Sequence, residues 1–128
     1  MDRDALRKTY RGYIDCLNAR DWQRLDRFVG AAVRYNGAVI GLEGYRAMLR
    51  ADVAAIPDLR FEIATLVADP PVVASRLLFD CTPVGMLFGL PVNGRHLHFE
   101  ENVFYTFADG RIDDVRSIID KAAIAAQL

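Results

Sequence analysis

Pro57 divides the chain into two periodicities, and that division constrains the fold more than any other feature. Upstream, Leu6, Tyr10, Tyr13 and Leu17 recur at helical spacing, so residues 3 to 19 are expected to form an amphipathic helix. Asp21 is placed to cap a shorter helix whose apolar face is Trp22, Leu25, Phe28 and Val29, with Gly30 ending it. Asn36-Gly37, between two short apolar runs, signals a tight hairpin. A third helix over about 43 to 56 carries Tyr45, Met48, Leu49, Val53 and Ile56, and Pro57, which has no N–H to donate, stops it. Downstream the period becomes extended. "LRFEIATLV", "VVASRLLFDCT", "RHLHFEENVFYTF" and "RIDDVRSIID" read as four strands, separated by Pro70-Pro71, the loop "PVGMLFGLPVNG" and "ADG".

Helices first and strands afterwards describe an α+β arrangement, with helices covering one face of a curved, mainly antiparallel sheet. At 128 residues the chain is expected to form a single domain over positions 1–128. Its formal charge of −1, from 16 basic and 17 acidic residues, argues against nucleic acid as a partner, because such binders carry a basic excess. No window approaches the ~20 apolar residues of a membrane span, and the charged start "MDRDALRKTYRGYID" lacks a signal sequence's apolar region. Cys16 and Cys81 have no motif spacing, so they read as reduced apolar residues, and the expected compartment is the cytoplasm.

The segment from Arg76 to Leu128, with "GMLFGLPVNGR", "FADGRI" and an aspartate, Asp120, followed at seven residues by Gln127-Leu128, resembles the SnoaL-like ester cyclase and polyketide cyclase branch of the NTF2-like superfamily. The resemblance implies a cone-shaped α+β barrel, in which a strongly bent sheet wraps three N-terminal helices and leaves a deep pocket. It also implies a homodimer, no cofactor, and intramolecular aldol ring closure on a hydrophobic carbonyl or polyketide-like small molecule. Water chemistry of the epoxide-hydrolase or dehydratase kind, or ligand binding without catalysis, are the alternatives within the same fold. By this resemblance Asp120, at the end of the last strand, is the acid/base, and Tyr13 and Asn36 are polar groups of the pocket.

Taken by itself, Asp120 is either an N-cap for the alanine-rich tail or a carboxylate kept in an apolar place. If Ala108-Asp109-Gly110 is a three-residue loop, Phe107 faces Arg111 and Asp120 lies opposite His98; a two-residue turn would instead put Phe99 there. The first register gathers His98, Glu100, Asn102, Phe104 and Thr106 on one face with Asp114, Arg116, Ile118 and Asp120, so His98 and Arg116 are expected to assist Asp120 and Asn102 to meet the substrate. Arg116 stands where the family commonly has an aromatic. An arginine beside a general base weakens it, unless it binds substrate or turns to Glu100 or Asp114. Arg76 and Asp80, four apart on one strand, are expected to pair. His96-x-His98-x-Glu100 has metal-ligand character but too few convergent ligands, and no metal is expected. Met86 and Phe88, in an apolar loop, are expected at a pocket lip or partner surface.

Overall fold

A computed structural model describing residues 1–128 shows the mixed α+β architecture that the change of period implies. Helix α1 spans Arg3–Asn18 and is capped by Asp2, whose carboxylate accepts from the Ala5 N–H at 2.8 Å. Its apolar stripe, Leu6, Tyr10, Tyr13, Ile14 and Leu17, is buried. The expected second helix is a 3-10 segment, Trp22–Arg27. Asp21 precedes it without a side-chain capping bond, and Gly30 lies within strand β1, Val29–Tyr35, instead of ending a helix. Asn36 and Gly37 both adopt positive φ, which is the backbone a two-residue turn requires, and they return the chain into β2, Ala38–Val39. Helix α2 covers Gly41–Ala55 and ends two residues before Pro57.

The strands after Pro57 are β3, Glu62–Asp69, β4, Val72–Cys81, β7, Leu97–Ala108, and β8, Arg111–Ile119. The loop between β4 and β7 folds into a small hairpin of β5, Met86–Leu87, and β6, Leu90–Pro91. Six strands form one sheet in the order β2-β1-β8-β7-β4-β3, antiparallel throughout except where β1 runs parallel to β8. A final helix, α3, covers Lys121–Ala126. A cluster of 28 buried residues, from Leu6 on α1 to Ile124 on α3, lies between the helices and the concave face of this sheet. No helix is long and apolar enough to cross a membrane.

The hairpin between β7 and β8 departs from the expected register twice. Asp109 and Gly110 both take positive φ, so the loop is a two-residue turn and Ala108 faces Arg111. One extra residue, Asp113, then bulges from β8, so that Thr106 pairs with Asp114 and Glu101 with Ile119. The two displacements leave Asp120 across from Glu100, whose carbonyl accepts the Asp120 N–H at 3.0 Å, and not across from His98 or Phe99. Because the total shift is even, the residues sharing a face stay together. The burial alternation of β7 then decides which face: Leu97, Phe99, Val103, Tyr105 and Phe107 point into the core, while His98, Asn102 and Phe104 are exposed.

Candidate active site

Between α2, the tip of the β5–β6 hairpin and the concave face of the sheet lies a cavity of about 210 Å³. All its lining side chains are hydrophobic or tyrosine except two carboxylates, Asp52 and Glu101. Each arrives there by the period of its own element. Asp52 follows Tyr45, Met48 and Leu49 on the inward stripe of α2, and Glu101 occupies the inward parity of β7 between Phe99 and Val103.

The two acids have different surroundings. Glu101 accepts a hydrogen bond from the Ser117 hydroxyl on β8. Burial raises its pKa above the ordinary value, the serine bond opposes that rise, and the nearby charge of Asp52 adds to it. Burial alone pushes Asp52 up to about 6. Beside them the Tyr13 and Tyr45 hydroxyls meet at 2.6 Å across α1 and α2, both buried and both lining the cavity. Whichever of the two donates, the other keeps an O–H for a third partner. Burial holds both phenols neutral, well above the ordinary tyrosine range. Tyr10 packs on Tyr105 with ring centroids 5.0 Å apart, behind this pair in the core.

Several residues expected at the site lie elsewhere. Asp120 is exposed, on the convex side of the sheet, and its carboxylate accepts from the Ala123 N–H at 3.0 Å as the N-cap of α3. Of the two readings that the sequence left open, the structure shows the cap. Gln127 completes this anchorage: its amide accepts the His98 N–H at 3.0 Å and donates to the His98 carbonyl at 2.6 Å, so the Asp120 to Gln127 spacing docks α3 on the edge of β7. His98 is exposed on the same convex side, 3.5 Å from Asp80. Arg116 turns to Asp114 at 3.4 Å and also stands outside. Asn102 is exposed there too, beside Arg76 and Phe104. Arg76 pairs with Glu100 at 2.6 Å and not with Asp80.

Asn36 is committed to backbone: it accepts from the Ser117 N–H at 2.8 Å and donates to the Ser117 carbonyl at 3.2 Å, extending the junction of β1 and β8. Tyr13 and Phe88 do line the cavity, Phe88 from the hairpin tip with Lys121 placed over its ring at 5.2 Å; Met86 is exposed and outside it. Neither Asp52 nor Glu101 was singled out from the sequence. The signal was present in both cases as a lone charge at an apolar phase, once of period 3.6 and once of period two.

The fold and cavity together define a cone-shaped α+β pocket protein, and the comparisons with known proteins agree. The chain belongs to the SnoaL-like polyketide cyclase family, whose sequence model matches residues 7–128. A SnoaL-like polyketide cyclase from Agrobacterium tumefaciens is similar at 47% identity and a TM-score of 0.95, with 99% of this chain and 98% of that chain covered. TsrD from Streptomyces laurentii, at 22% identity and a TM-score of 0.87 over 99% and 96% of the two chains, shares the fold. So does IdmH from Streptomyces antibioticus, at 21% and 0.81 over 94% and 95%. No curated protein matches the sequence.

Proposed function

We propose that the chain is a cyclase or isomerase that performs acid/base chemistry on a hydrophobic carbonyl compound, with Glu101 and Asp52 as the proton-handling groups. The observation that carries this reading is the cavity itself, whose only charged side chains are two carboxylates with raised pKa values beside a pair of neutral phenols. Carboxylates in a dry site are stronger bases than in water, and a neighbouring group that is readily protonated supplies the acid. Glu101, supported in its ionised form by Ser117, takes a proton from the carbon next to the substrate carbonyl. The enolate oxygen is met by an O–H of the Tyr13–Tyr45 pair. In a ring-closing aldol step the enolate carbon then bonds to a second carbonyl carbon, and the oxygen released there takes its proton from Asp52 in its acid form. Proton return to the enolate instead of carbon attack gives isomerisation with the same residues.

The absence of any cation among the lining residues favours a neutral substrate over an acidic one. The dimer that the resemblance implies would form on the convex sheet face, where Phe104 and Ile118 are exposed on adjacent strands and Val67 lies beyond Ala74 on β3; sedimentation of Phe104→Glu against the native chain tests it.

The test of the catalytic reading is deuterium uptake at the acidic α-carbon of β-tetralone in heavy water, followed by NMR. Acceleration by the native protein that falls by roughly 10²–10⁴-fold in Glu101→Gln supports the proposal. Acceleration that survives this substitution sinks it.

A further inference from the structure

We propose that Asp80, His96 and His98 form a binding site for a divalent first-row transition metal ion on the convex surface, separate from the cavity. The ligand atoms lie within 4.8 Å of one another, and the backbone brings them together without any help from a bound ion. His96 and His98 flank the buried Leu97, so strand parity points both imidazoles outward, with ring centroids 5.1 Å apart. Asp80 is the direct cross-strand partner of His98 in the β4–β7 ladder, which supplies the third donor that a two-histidine strand motif lacks.

The orientation of the rings is set as in a prepared site. Nδ1 of His96 is hydrogen-bonded to the Thr82 hydroxyl at 3.0 Å, leaving Nε2 to face Oδ1 of Asp80, with which it is in contact. Nδ1 of His98 faces the same oxygen at 3.5 Å. An outer hydrogen bond that fixes one imidazole nitrogen and frees the other is the usual support of a metal-bound histidine. Two imidazoles and a carboxylate, with no thiolate, suit Zn2+, Ni2+ or Cu2+, and the exposure of all three residues leaves further coordination positions to water. A bound ion would replace the Asp80–histidine contacts and tie together the end of β4, the start of β7 and the end of the loop that carries Phe88 to the cavity wall.

The experiment is calorimetric titration of tag-free protein with Zn2+ at about pH 7. The expected result is saturable binding of one ion per chain. His98→Gln and Asp80→Asn, which leave the Thr82 contact alone, should each weaken it by at least about tenfold, while Asp113→Asn on the distant bulge leaves it unchanged. A second readout does not depend on the variants: Zn2+ should shift the NMR signals of both histidine rings in the native chain. No saturable binding at neutral pH, affinity that survives both ligand substitutions, or ring signals that do not move would each overturn the site.

Discussion

Glu100 and Glu101 are neighbours in the chain and opposites in the molecule. Glu100 points outward, half-buried, and pairs with Arg76; Glu101 points into an apolar cavity and has only a serine hydroxyl to support its charge. One step along a strand therefore separates a surface ion pair, which contributes little, from a carboxylate whose protonation the fold has altered. The difference teaches that the environment of a carboxylate in this fold follows strand parity, not proximity to the end of the sheet.

The largest expected effect breaks that comparison directly. Glu101→Gln should reduce α-carbon exchange by roughly 10²–10⁴-fold, whereas Glu100→Gln should leave it unchanged; equal losses in the two variants would show that parity does not decide. Next, Tyr45→Phe removes one hydroxyl of the buried pair and should cost roughly 10²–10³-fold in the same assay, the scale of losing one donor to a developing oxyanion. A rate that is unaffected both here and in Tyr13→Phe would exclude the phenols from the step.

Asp52 sharpens the contrast through stability. Its pKa of about 6 in the folded chain exceeds the ordinary value near 4, so the folded state holds the proton more tightly than the unfolded state does. The stability this contributes is complete below about pH 4 and is lost as pH rises through about 6. At neutral pH Asp52→Asn should thus raise unfolding free energy by about 1–2 kcal/mol and flatten the decline between those limits, while slowing turnover. Urea melts across the range check it. The smallest effect belongs to the convex side: Asp120→Ala loses the cap of α3 and should cost about 0.5–2 kcal/mol, but Asp120→Asn, an equally good cap, should cost almost nothing. Thermal melts of the two variants separate capping from any other role.

Much of the fold was legible. The stripe of α1, the Asn36-Gly37 turn, the stop before Pro57 and the four later strands all follow from local periodicity, and the family motifs supplied the cone. The site was less so, because it depends on which face of β7 looks inward. Grouping His98, Asn102, Arg116 and Asp120 on one face was sound, yet that face is the convex one. The polar set marked solvent, and the single acid among Phe99, Val103 and Tyr105 marked the pocket. The two-residue turn was the alternative that Asp109-Gly110 itself offered, but the bulge at Asp113 could not be read from local sequence, since a bulge is fixed by packing on both sides of the strand. Asn36 was misplaced for a similar reason: its backbone partner, Ser117, is 81 residues away.

The central claim is that the working carboxylate is the one inside the barrel. Side-by-side exchange rates for Glu101→Gln and Asp120→Asn, with β-tetralone as probe and both variants shown to be folded, test it most directly. The structure predicts loss of exchange in the first and native rates in the second. Loss in Asp120→Asn with Glu101→Gln unimpaired would contradict it and return the chemistry to the end of β8.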